Sequence, residues 1–193
     1  KEQMQKAGFT FQMDTTLQNM LRHDFNSFHI RYNDPLHCKN TDYILHFKKI
    51  PGSDIYYFDK FAAAATPDLK SVLNHDHATV KQIFSMQSDL LFSAQEAAIL
   101  VNKGHVCKNI DGREKWVALD LTKLNSIGKP YLRNSTFDLR RALSKLPFKP
   151  SQMENPAFIE KLIETLKTGA CRVVDLMVEG GKAMKYKIHA APH

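Results

Sequence analysis

The chain has 193 residues, 43% of them hydrophobic and 24% charged, and its 27 Lys/Arg against 20 Asp/Glu leave a net charge of +7. That apolar content excludes a disordered polyelectrolyte and is enough for one compact domain or two small lobes. No apolar run approaches the ~20 residues of a membrane-spanning helix, and the opening Lys1-Glu-Gln-Met-Gln-Lys6 lacks the apolar stretch of a signal peptide, so a membrane partner is not expected.

In chain order, Leu17 and Leu21 lie four apart and mark one face of a first helix, which runs into alternating aromatic and β-branched residues. The alternation predicts strands over 27–33, 43–49 and 55–64, with Pro51-Gly52 turning between the last two. Residues 66–78 read as a loop, and 79–86 as a fourth strand that completes an antiparallel meander. Ser93-Ala-Gln-Glu96 has the spacing of a capping box, which predicts a helix over 94–102 ended by Gly104. A strand comes next over 114–121 around Trp116, the only tryptophan, and 125–130 reads as a loop.

Leu139, Ala142, Leu143 and Leu146 form a helical stripe over 137–146 closed by Pro147. Asn155-Pro156 opens a longer helix that runs through Lys167, with Asn as the cap and Pro in the first turn. The last two strands, 173–177 and 184–188, turn at Gly180-Gly181. A helix running into a hairpin therefore occurs near the start and again at the end. The expected fold is α+β with mainly antiparallel sheets, in two loosely repeated helix-plus-sheet lobes, 1–90 and 91–193.

The second lobe holds a distinctive string: Phe92-Ser-Ala-Gln-Glu-Ala97, Trp116-Val-Ala-Leu-Asp-Leu121, Asn134 with Phe137-Asp-Leu139, Glu164-Thr-Leu-Lys-Thr-Gly169 and Ile188-His-Ala-Ala-Pro192. In these motifs it resembles an uncharacterised domain-of-unknown-function family of Bacteroidetes, common on conjugative and other mobile elements. The first lobe, with Tyr56-Tyr-Phe-Asp-Lys60, looks like the portion that precedes that domain. Ala191 stands where the family has asparagine, the segment after Asn134 lacks its aromatic-glycine pair, and the strand that follows the family's proline is missing. The family has no established catalytic residue, cofactor or ligand, so the resemblance implies a fold and a mobile-element setting and no site.

Chemistry read from the residues themselves is sparse. His37-Cys38, His75-Asp-His77 and His105-Val-Cys107 are local pairs of metal-ligand types, yet none has CxxC or HExxH spacing, and scattered histidines account for them more simply. Cys38, Cys107 and Cys171 sit in no nucleophile elbow, and no glycine-rich phosphate loop occurs. Cysteines odd in number and far apart fit a reducing compartment, with cytoplasm as the default. No cofactor, metal or small-molecule ligand is expected. The chain opens without methionine and stops at Ala191-Pro192-His193, so it reads as a segment of something longer.

Charge is the best lead. Residues 1–93 carry 10 Lys/Arg and 10 Asp/Glu, whereas 94–193 carry 17 and 10. Arg133, Arg140, Arg141, Lys145 and Lys149 fall in one stretch with Tyr131, Phe137 and Phe148, and Lys185 and Lys187 share one face of the final strand. Such a set can contact phosphates, while a plainer reading leaves the cations solvated and makes Phe137 and Phe148 core anchors. The functional expectation is a non-enzymatic accessory protein of a mobile element that binds nucleic acid or an acidic protein surface through its basic C-terminal half. Its alternatives are an interaction module with no nucleic-acid affinity and an enzyme of unrecognised type.

Overall fold

The computed structural model describes residues 2–9, 14–33, 41–66, 80–124 and 130–192. It is an α+β protein whose paired strands are antiparallel, and it divides into two compact units. Unit 1 comprises residues 1–102 with 124–130, and unit 2 comprises 103–123 with 131–193.

Unit 1 opens with short α1 (Glu2–Lys6) and α2 (Asp14–Arg22). Its sheet is the meander β1 (Ser27–Asn33), β2 (Thr41–Lys49), β3 (Tyr56–Ala65) and β4 (Lys81–Ser85), in that spatial order. Aromatic and aliphatic residues fall on one face: Phe28, Ile30, Tyr43, Leu45, Phe47, Phe58, Phe61 and Phe84 are all buried. Phe9 closes this face edge-on, its ring 5.1–6.0 Å from those of Tyr32, Tyr43, Phe58 and Phe61. No periodicity in the sequence marks that N-terminal segment as part of the core.

α3 (Ala94–Val101) packs on β3 through Ala94, Ala97, Ala98, Leu100 and Val101. The capping box forms as its spacing indicates, with Ser93 N donating to Glu96 Oε2 at 2.8 Å and Glu96 N to Ser93 Oγ at 3.2 Å. Tyr43 Oη donates to Ala94 O at 2.8 Å and Ala94 N to Ala7 O at 2.7 Å, which ties sheet, N-terminal segment and helix together. The helix ends earlier than Gly104 implies, because Lys103 takes the left-handed conformation at φ 64°.

Unit 2 begins with a hairpin that the strand at Trp116 announces only in part. β5 (Val106–Ile110) pairs with β6 (Arg113–Leu124) across Asp111-Gly112, both at positive φ, as a tight primed turn requires. β7 (Pro130–Ser135) completes the order β5-β6-β7, where the sequence indicates only the adjoining loop. The stripe of leucines forms a shorter helix than expected, α4 (Leu139–Leu143): Asp138 caps its start by accepting from Arg141 N at 2.9 Å, and Ser144 caps its end.

A single turn, α5 (Pro150–Met153), precedes α6 (Pro156–Lys167), capped by Asn155 as its sequence indicates. β8 (Arg172–Met177) and β9 (Ala183–Ile188) pair around Gly180 and Gly181, at φ 88° and 73°. The core joins Trp116, Leu139, Leu143, Phe148, Leu162, Ile163, Leu166 and Val174.

A helix running into an antiparallel hairpin is thus present twice, at α2–β1–β2 and at α6–β8–β9. The surroundings differ. The first hairpin grows into a four-stranded meander and the second stays two-stranded, so unit 2 does not reproduce unit 1. Local signals set each hairpin, and the chain beyond its second strand decides the width of the sheet.

Candidate functional site

The division of the fold is also a division of charge. Unit 1 contains 11 Lys/Arg and 11 Asp/Glu, and unit 2 contains 16 and 9, so the whole net charge of +7 belongs to unit 2. Several unit 2 carboxylates are already engaged. Asp111 pairs with Lys115 at 3.4 Å, Glu160 with Arg140 at 2.6 Å, and Glu114 with Lys167. Asp138 caps α4, and Asp120 accepts from Thr122 N at 3.0 Å and Thr122 Oγ1 at 2.6 Å. Those bonds, and then Lys123 and Arg133 nearby, hold the Asp120 carboxyl below its ordinary range.

All seven cationic residues singled out in the sequence are exposed. Arg133 lies on β7, Arg140 and Arg141 on α4, Lys145 just beyond it, and Lys149 at the start of α5. Leu139 and Leu143 are buried and Leu146 partly so, which turns Arg141 and Lys145 outward. Arg140 is tied to Glu160 on α6, so it is not an uncommitted cation. Among the described residues Arg133, Arg141, Lys145, Lys149, Lys185 and Lys187 form no ion pair.

Lys185 and Lys187 stand opposite Asp175 and Val173 on β8, which puts them on the face away from buried Val174. On its other edge β8 meets the segment before α5: Lys149 N donates to Asp175 O at 3.0 Å and Met177 N to Pro147 O at 2.6 Å. The 147–149 segment and β9 therefore flank the same strand. An open groove of about 370 Å³ is lined by Phe137, Leu143, Leu146, Lys187, Ile188 and Ala190 among others, bringing α4 and the end of β9 to one place.

The aromatics are core. Phe148 is buried and bridges to Leu176, while Phe137 packs edge-on to Trp116 at 5.9 Å and accepts from Trp116 Nε1 at 3.2 Å through its carbonyl. Tyr131 is the exception, exposed on β7. Lys123, Leu121 and Leu132 are likewise exposed, and nothing in the sequence pattern singles them out. Alternation along a strand says which residues share a face, not whether anything covers that face.

The metal and nucleophile candidates gain little from the fold. His37, Cys38, His75 and His77 lie outside the described residues. Among the described residues no three His, Cys, Asp or Glu come together as a metal site. Burial, reinforced by the Glu114 carboxylate, pushes the Cys107 thiol up, which leaves little thiolate for nucleophilic work near neutral pH. Among the described residues no helix is long and apolar enough to cross a membrane. No protein-family model, curated protein or solved structure matches this chain.

Proposed function

We propose that this chain is a non-enzymatic accessory protein that binds nucleic acid through unit 2, by contacts to backbone phosphates. The observation that carries the reading is the confinement of the entire net charge to one unit, the other being neutral. With Asp111, Glu114, Asp138 and Glu160 engaged in capping and pairing, Arg141, Lys145, Lys149 and Lys187 are cations available to an external anion, and Lys185 faces Asp175 across the last hairpin. The mobile-element setting rests on the motif resemblance. A cytoplasmic location rests on the cysteine usage.

Phosphate contacts release counterions, so log K falls linearly with log salt, with a slope of about −0.9 for each phosphate neutralised on duplex DNA. The test measures affinity for labelled DNA over a salt series. Combining Arg141→Ala, Lys145→Ala, Lys185→Ala and Lys187→Ala flattens the slope by roughly 1 for each phosphate-binding cation removed. A wild type with no affinity at low salt, or one whose affinity ignores salt, refutes the proposal.

A second reading has one observation in its favour. The groove between α4 and the end of β9 is mainly apolar and has Lys187 on its lining, a surface suited to a protein segment carrying both apolar and acidic residues. A wild type that binds no nucleic acid yet captures such a segment supports this reading instead.

A further inference from the structure

The neutral total of unit 1 conceals an uneven distribution of charge over its sheet. Tyr43, Leu45 and Phe47 of β2 face the aromatic core, so Ile44, His46 and Lys48 face away from it. The strand register extends His46 into a row on that outer face: His29 of β1, His46 of β2, Lys60 of β3 and Ser85 of β4 stand directly opposite one another. The two imidazole rings are centred 6.0 Å apart. Directly opposed residues have Cβ atoms about 4.5–5.5 Å apart, so Lys60 and both imidazoles converge on one patch. The central pair, His46 and Lys60, lies toward the Pro51-Gly52 end of the sheet, within the continuously described residues 41–66.

Like charges directly opposite on neighbouring strands are destabilising, and this row sets a permanent ammonium against an imidazole that gains charge as pH falls. The fold does little to offset it. Asp59, the acid that acts on His46, is itself held by Lys48 at 3.1 Å. Among the described residues Lys60 and Lys81 form no ion pair or hydrogen bond. Burial, then Lys60 and His29, and after them Lys81, hold His46 below its ordinary pKa against the opposite pull of Asp59. Both His46 and Lys60 are half-buried, unlike the solvated cations of unit 2. Ser85 Oγ accepts from Gln87 N at 3.1 Å, which leaves its hydroxyl hydrogen to donate. A half-buried row of cationic and donor groups with no acid of its own is complementary to an oxyanion.

We propose that His29, His46 and Lys60 bind a phosphate group on the outer face of the unit 1 sheet, with Ser85 as a further donor at the end of the row. The site is independent of the reading of unit 2. Ammonium and imidazolium groups donate charge-assisted hydrogen bonds to phosphate oxygens. A bound anion favours the protonated imidazole, and by linkage the protonated site binds the anion more tightly. A metal ion does not suit the same place, because Lys60 repels it. The phosphate belongs either to a small ester or to a nucleic-acid backbone, two sources that experiment separates.

The test follows histidine ring signals of the full chain by NMR, assigned with His29→Gln and His46→Gln. Sulfate is the first probe, since it carries the same charge at about pH 5.5 and about pH 7.5, and chloride at matched ionic strength is the control. The His29 and His46 signals shift saturably with sulfate and not with chloride, and affinity is about tenfold higher at the lower pH. Lys60→Gln weakens binding by about tenfold, the equivalent of one charge-assisted hydrogen bond, and Lys60→Arg restores it. In chloride Lys60→Gln unfolds at the same urea concentration as wild type or a higher one, because it removes a repulsion, so lost binding is not lost structure. Inorganic phosphate at about pH 7.5 reproduces the sulfate shifts. A short DNA duplex that moves the same two signals assigns the group to a nucleic-acid backbone, and one that leaves them unmoved assigns it to a small ester. Shifts that never saturate, that persist undiminished in Lys60→Gln, or that weaken as pH falls overturn the proposal, whatever unit 2 binds.

Discussion

Phe9→Ala is the sharpest test of how unit 1 is held together. The ring is 2% exposed and packs edge-on against Tyr32, Tyr43, Phe58 and Phe61, so it joins rings from β1, β2 and β3. Truncating a buried phenylalanine to alanine costs about 3–5 kcal/mol, and edge-to-face pairs contribute about 0.5–1.5 kcal/mol each beyond area burial. The upper end of the first range is expected, because four partner rings are deprived of their neighbour at once. Domains are stable by about 5–15 kcal/mol, so the variant keeps only a fraction of unit 1's stability. With m about 2 kcal/mol per molar urea, the midpoint moves down by roughly 2.5 M. The transition is followed by tyrosine near-ultraviolet circular dichroism, since Tyr32, Tyr43, Tyr56 and Tyr57 all lie in unit 1. Phe9→Leu, which keeps most of the volume, loses less than half as much. A Phe9→Ala loss below about 1 kcal/mol at unchanged m refutes the placement of this ring as the hub of the sheet face.

Burial, then the Lys60 ammonium and His29, lower the His46 pKa, so the unfolded chain takes up a proton near pH 6.5 that the folded chain accepts only at lower pH. Stability is therefore flat above that pH and falls as pH drops below it; denaturation at a series of pH values shows this, and His46→Gln removes part of the slope. Asn155→Ala deletes the acceptor for Phe158 N at 3.1 Å and costs about 1 kcal/mol in thermal melts, while Asn155→Asp, which keeps the oxygen, stays near wild type.

The sequence discloses most where a few neighbouring residues decide the outcome. The Ser93–Glu96 box and the Asn155 cap are each set by contacts within four residues and are found in place, whereas the last hairpin closes over three residues, Glu179-Gly180-Gly181, rather than as the two-residue primed turn that Gly180-Gly181 indicates. The alternation of β1 and β2 is legible because one face is apolar and buried, whereas β3 buries Phe61, Ala62 and Ala63 in succession. β5 escapes pattern reading although Asp111-Gly112 is a strong hairpin signal, because Val106-Cys-Lys-Asn-Ile110 alternates poorly and is only partly buried. β7 escapes it for a related reason: a ribbon exposed on both faces has no hydrophobic period to detect.

The charge division holds even though the boundary moves. The sequence puts the break in charge after residue 93, and the fold puts its break after Asn102 and adds 124–130 to unit 1. The residues that change sides contribute one acid, Glu96, and one base, Lys129, so unit 1 stays neutral under either division. Glu96 belongs to the capping box of a helix packed on the unit 1 sheet, so that carboxylate is used within the neutral unit. In unit 2 the carboxylates at Asp111, Glu114, Asp138 and Glu160 are likewise engaged in turns, caps and pairs that the fold itself requires. Unit 2 has seven more cations than acids, and with these four acids committed to structure an external polyanion can partner the excess. Arg140→Ala separates the two kinds of cation: removing a surface pair with Glu160 costs about 0–1 kcal/mol. It should also flatten the salt dependence of DNA binding less than Arg141→Ala does, because Arg140 is already paired. An equal effect of the two substitutions in the same salt series would show that pairing within the fold does not decide which cations meet the phosphate backbone.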